Sequence, residues 1–248
     1  MVRTGYFITL LFCIITSTSI TKKKVMAQPN SDSILLIKKT SDFVFNKHKI
    51  DENWSSTQWV PLTRIKGKKK KGYNTKVKIL YSTKGIYFLF ECKDKVLNAD
   101  FQSDFEKLWT QDVVEVFIWP DEDSPDYFEY EISPLNHELI LLISDRKGYN
   151  AKWKPFLYHS GNIRTRHQTL VKGGRKKSNA EVKKWFAKIF IPYQLLPPLN
   201  NTSPKKGTKW RVNFYRIDYD KGETSWWAWQ PVSNSFHEYK KFGSMVFE

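Results

Sequence analysis

The chain has 248 residues, a formal charge of +16, 40% hydrophobic and 16% aromatic residues. That length suits one sizeable core, particularly an all-β one. With two cysteines in all, one of them (Cys13) near the start, a disulfide framework is excluded and the core must hold itself together.

The first 27 residues read as a secretory signal: Arg3 gives a positive start, Gly5 to Thr16 an apolar stretch, and Val25-Met26-Ala27 a small-residue cleavage pattern. An uncleaved anchor is the alternative reading. Cleavage leaves residues 28–248 as a single domain with a charge lowered from +16 to +12 and Cys92 as its one cysteine. No later segment is long and apolar enough for a transmembrane span. The expected location is therefore secreted or periplasmic.

Strand-like runs then recur in chain order with turn residues between them: Ile34–Lys39, Lys76–Ser82, Gly85–Lys93, Val113–Trp119 and Tyr127–Ser133, followed by Glu138–Ser144, Ile163–Lys172, Val182–Ile191, Lys209–Asp218 and Lys241–Phe247. Tyr193–Leu196, after Pro192, reads as one helical turn. No long window has helical periodicity, so the expectation is an all-β chain, a single β-sandwich. Basic residues gather at 66–71, 173–177 and 205–206, beside glycine or proline. Solvated hairpin tips that protect strand edges explain them. Attraction to a polyanion is the other reading, and an exported protein argues against nucleic acid as that partner.

Within Val113–Trp119, Glu115 stands among β-branched and aromatic residues. Alternation puts Val114, Val116 and Ile118 with Asp112 on the inward face, and Glu115 with Val113, Phe117 and Trp119 on the other. A carboxylate there faces solvent, pairs with a cation, or meets a ligand. Of the ten tryptophans, several fall outside the alternating runs: Trp54, Trp59, Trp109, Trp153 and the group Trp226-Trp227-Ala228-Trp229. An uncovered indole offers a flat apolar face on which sugar C–H groups stack, while carboxylates bond the hydroxyls. Trp109 and Glu115 make the natural pair for such a groove.

Leu108-Trp-x2-Asp-Val-Val-Glu-Val-Phe-Ile118 resembles the signature of the family nine carbohydrate-binding modules. The resemblance continues in order through Tyr127 to Asn136, Trp185 to Pro192, Trp210 to Arg216, Trp226 to Pro231 and Phe236-His237-x4-Phe242-Gly243-x3-Phe247. It implies a sandwich of jelly-roll type that binds polysaccharide or oligosaccharide as a monomer, without catalysis, in association with xylan or cellulose degradation. It also implies a terminal sugar clamped between two aromatics, with Trp109 and Glu115 in place, the second aromatic at Phe236 beside Ser233 and His237, and the family's arginine position near Glu131. Arg146 or Arg216 would then supply a cation. Structural calcium occurs in relatives, and Asp218-Tyr-Asp220-Lys-Gly222-Glu223 resembles a calcium loop; Asp121-Glu122-Asp123 with Asp126 is a second candidate, and both stretches also read as plain turns.

Two other classes remain. Glu129-x-Glu131 resembles part of the acidic motif of family sixteen glycoside hydrolases, but Ser133 and Pro134 follow where a third acid would stand. A b-type haem domain related to dopamine β-monooxygenase would need an axial ligand, and Met245 is the one methionine left after cleavage.

Overall fold

In the computed structural model the residues described are Met1, 34–68, 71–144, 163–220 and 222–248, with backbone alone for 152–155. The signal segment, Arg146 and the side chain of Trp153 lie outside them. Thirteen strands form: β1 (Ile34–Lys39), β2 (Val60–Lys66), β3 (Asn74–Tyr81), β4 (Gly85–Lys93), β5 (Val113–Trp119), β6 (Asp126–Ile132) and β7 (Glu138–Ser144), then β8 (Lys152–Pro155), β9 (Arg166–Lys172), β10 (Lys184–Pro192), β11 (Lys209–Asp220), β12 (Glu223–Ala228) and β13 (Gly243–Phe247). The expected helical turn is a 3₁₀ turn at Tyr193–Leu195. Strands β2, β8 and β12 were not expected. The alternation of β12 is broken by a register shift between Trp226 and Trp227 against β2, and such a bulge hides a strand from a period-two reading.

The strands stack as a β-sandwich. One sheet runs β8-β7-β6-β5-β11, and the far edge of β11 pairs with β12 along one part and β13 along another. The second runs β2-β3-β4-β10-β9. Strands β1 and β2 pass between sheets, β1 pairing with β13 and then β3, β2 with β12 and β3. Between the layers lies the main core, with Val114, Val116, Ile118, Tyr130 and Phe214 from the first sheet meeting Phe88, Phe90, Trp185 and Ile189 from the second. At about 25 cal/mol per Å² of apolar area, this layer dominates the driving force for folding.

Both outer faces are also covered, which is why the strands are apolar on both sides. On the second sheet, Tyr87, Leu89, Phe186 and Phe190 pack under Phe43, Phe45, Ile50, Trp54 and Trp59 from the segment before β2. That cover is tied down by Lys188 of β10. Its buried ammonium donates to the carbonyls of Asn46 and Lys49 and to the Asp51 carboxylate 3.2 Å away. Replacing it by an apolar residue strands two carbonyls and a carboxylate. Lys188→Met is expected to lower stability by about 3 kcal/mol in urea titration, with early loss of Trp54 burial read by its fluorescence.

Candidate functional site

The outer face of the first sheet carries the other covered surface. Phe117, Tyr127, Leu141, Ile143, Tyr215 and Ile217 lie beneath two chain segments, one bearing Leu108 and Trp109, the other Val232, Phe236 and Phe242. The cover is incomplete. Between it and the sheet lies a cavity of about 330 Å³ lined by Trp109, Glu115, Phe117, Glu129, Glu131, Leu141, Ile143, Ile217, Trp226, Asn234, Ser235, Phe236 and His237.

Strand periodicity builds the floor. Glu115 of β5 is directly opposite Glu131 of β6 and, on its other side, Tyr215 of β11; Phe117 is opposite Glu129. One sheet face thus carries three carboxyl groups, and all three residues are buried. Oε1 of Glu115, Oε2 of Glu129 and both oxygens of Glu131 have no hydrogen-bond partner at normal geometry. Unpaired buried polar atoms normally cost about 1–3 kcal/mol each, so four at one place mark a surface kept for something other than stability.

Burial disfavours the ionised form of all three carboxyls, and neighbouring carboxylates add to this at Glu115 and Glu131. Burial, then the charge of Glu129, pushes Glu115 well above the usual carboxylate range. Burial followed by the charges of Glu115 and Glu129 does the same to Glu131, against a weaker opposing pull from the Trp109 backbone N–H. Burial pushes Glu129 up to about 7.

The walls are aromatic. Trp109 sits in the 3₁₀ turn Leu108–Thr110 that leads into β5, half-buried. Phe236 stacks on Tyr215 with ring centroids 4.0 Å apart and meets Trp226 edge-on at 5.1 Å. Trp226, also half-buried, carries the Lys66 ammonium 4.0 Å above its ring. His237 bonds the Tyr127 hydroxyl through Nδ1 at 2.8 Å, with Glu129 3.9 Å away. The turn holding Phe236 and His237 is fixed by Glu238, which accepts the backbone N–H groups of Ser233, Asn234 and Ser235.

Trp109, Glu115, Glu131, Phe236 and His237 therefore meet in one place. Ser233 lies beside it but outside the lining, its hydroxyl accepting a bond from Lys241. Arg216 is a correction. Its place on β11 is opposite Val114, so it points into the sandwich core, where its guanidinium is buried between Asp94 at 2.8 Å and Asp218 at 2.5 Å. The alternation of β11 already grouped it with Trp210 and Phe214. The metal expectation at Asp218 and Asp220 fares likewise: Asp218 takes Arg216 and Ser225, and Asp220 accepts the Tyr73 hydroxyl. No described group of three or more His, Cys, Asp or Glu is placed to hold a metal. In the other acidic stretch Glu122 pairs with Lys209 and Arg211, and Asp121 bonds Asn200. Met245 is buried in the main core.

Among the lining residues that the sequence reading did not assign to the site, Trp226 and Glu129 bear most on its chemistry. Trp226 was grouped with loop tryptophans, yet it lies on β12, while its neighbour Trp227 turns into the core. Glu129 shares a strand face with Glu131, a signal that pointed to it without giving a destination. Trp54 and Trp227 pack in covered layers, so Trp109 and Trp226 are the pair that faces the cavity.

The sequence profile described as carbohydrate family 9 binding domain-like matches residues 48–248. The chain belongs to that family. An extracellular protein of Arthroderma benhamiae is 27% identical over 191 residues, covering 70% of this chain and 78% of its own. The fold is shared with a candidate carbohydrate-binding protein of Bacteroides uniformis (TM-score 0.66, 16% identity, 87% of this chain and 99% of that one). It is shared also with a family 9 carbohydrate-binding module of Caldicellulosiruptor kristjanssonii solved with cellotriose (TM-score 0.60, 17% identity, 87% and 94%).

The carboxyl cluster sets a pH dependence. Glu129 stays protonated in the fold up to about pH 7 but ionises near 4.5 when exposed. Its contribution to stability is complete below the unfolded value and is lost as pH rises through the folded one. Glu129→Gln is expected to flatten that decline, sparing on the order of 3 kcal/mol above pH 7, measured by urea denaturation between pH 4 and about 8.

Proposed function

We propose that this is a carbohydrate-binding domain whose ligand enters the cavity between Trp109 and Trp226. The observation that carries this reading is the convergence of two half-buried indoles with three buried carboxyl groups, four of whose oxygens lack a hydrogen bond at normal geometry, in one 330 Å³ cavity. Indole faces stack on the apolar faces of a sugar ring, and neutral carboxyls both donate to and accept from its hydroxyls. Leu141, Ile143 and Ile217 exclude water from the floor. A cavity at the small end of ligand pockets (about 300–1,000 Å³) suits the end of a saccharide better than the middle of a chain.

The family relatives solved with cellotriose and glucose support a plant-type or related polysaccharide as the source. The relative named as an extracellular protein supports export, in keeping with the apolar stretch at residues 5–16. The domain acts as a monomer, and no helix among the described residues is long and apolar enough to cross a membrane. Its role is attachment during polysaccharide degradation carried out by other proteins.

Affinity electrophoresis on xylan, cellulose derivatives and pectin, followed by calorimetry with oligosaccharides, tests this. Trp109→Ala, Trp226→Ala and Glu115→Ala are each expected to weaken binding at least tenfold, about 1.4 kcal/mol or more. Unchanged affinity in all three variants places the ligand elsewhere. Hydrolysis is a second reading favoured by one observation, the three carboxyls in the cavity with Glu129 raised to about 7. Release of a reducing-end label from an oligosaccharide by the pure protein, abolished in Glu129→Gln, is the result that would establish it.

A further inference from the structure

The pocket floor is unusual in its charge. Three carboxyl groups, Glu115, Glu129 and Glu131, face one small space, and among the described residues no lysine or arginine lines it. The described groups around them do not supply a countercharge. From β11, Tyr215 stands beside Glu115 and Tyr219 bonds the Trp109 carbonyl. From β6 comes Tyr127, from the covering turn come His237 and Glu238, and from β2 comes Lys66 above Trp226. His237 is the one group of possible positive charge in the lining, and its Nδ1 is 3.9 Å from Glu129 and bonded to Tyr127.

A sugar bearing only hydroxyls does not require this arrangement, since one carboxylate and a few amides satisfy it. Three carboxyls enclosed by indole and phenyl rings are instead the environment that holds an ammonium ion. Ring faces attract the cation, and carboxylates receive its three N–H donors. Trp226 already acts as such a platform toward Lys66.

Resting on the carbohydrate reading above, we propose that the cavity recognises a saccharide carrying a free primary amine, with the ammonium seated among Glu115, Glu129 and Glu131 and the ring against Trp109. Burial favours the neutral form of all three carboxyls, and the neighbouring carboxylates add to this at Glu115 and Glu131. An entering ammonium favours their ionised form, so binding expels protons into solution. The rest of the surface opposes loose binding of a cationic glycan, since residues 28–248 carry a formal charge of +12. Tight binding therefore has to come from the pocket.

The experiment compares three oligosaccharides of equal length on the full mature chain near pH 6: β-1,4-linked glucosamine, its N-acetylated counterpart and the cello-oligosaccharide. Calorimetry is run in two buffers of different ionisation enthalpy. The amine-bearing oligomer is expected to bind at least tenfold more tightly than either neutral one, with buffer-dependent heat that reports proton release. Glu131→Gln should lower affinity for the amine-bearing oligomer at least tenfold more than for the cello-oligosaccharide, and an equal loss for both overturns the ammonium seat. Equal or tighter binding of a neutral oligomer overturns the amine inference and leaves the carbohydrate reading standing. Absence of binding by all three, together with no retardation on any polysaccharide gel, overturns both. Because the ligand comparison uses the unmutated protein, poor folding of the variant does not spoil it.

Discussion

One guanidinium joins the two sheets. Arg216 leaves β11 of the first sheet and reaches the Lys93 carbonyl, Thr75 and Asp94 of the second, while holding Asp218 of its own strand. Asp94 receives the Trp185 indole N–H as well. A charge buried this completely is tolerable only when every neighbour is in place, so the network sets how the layers meet. It also sets the phase of β11. With Arg216 inward, Tyr215 and Ile217 must turn outward, Ile217 into the cavity lining and Tyr215 beneath Phe236, which also lines it.

The outer face of the same sheet shows the opposite treatment of charge. Inside the sandwich a cation and two carboxylates neutralise each other; outside, three carboxyls share a pocket that no described lysine or arginine lines. Desolvation is the common cost, answered by pairing in one place and by protonation in the other. Stability alone would have put leucines on the floor, as β7 does next door with Leu139 and Leu141. The pocket also depends on its cover: Glu238 gathers three backbone N–H groups to form the turn carrying Phe236 and His237. Aromatic walls and an acidic floor thus come from chain segments far apart in sequence.

Much of this was readable beforehand, for reasons that differ from residue to residue. Val113–Trp119 gave itself away by its β-branched and aromatic residues and the proline after them, and strand alternation separated Glu115 from Val114 and Val116. Trp109 followed from its place at the strand entrance. Arg216 misled because the expectation was drawn from what a sugar site requires, although its own strand phase pointed inward. Trp226 was hidden by the bulge that breaks the rhythm of β12. Asp218 and Asp220 had the composition of a cation loop, but their partners, Arg216 and Tyr73, come from the same strand and from a loop far upstream.

The sequence by itself determined the sandwich, the two faces of each regular strand and the identity of the groups on them, because side-chain direction in a strand follows from position alone. It also determined that no disulfide would be needed. Tertiary structure alone decided which tryptophans are covered, which carboxylates find a cation and which remain unpaired. Those outcomes depend on register between strands and on how the covering segments settle across a sheet face, distances that local pattern does not encode.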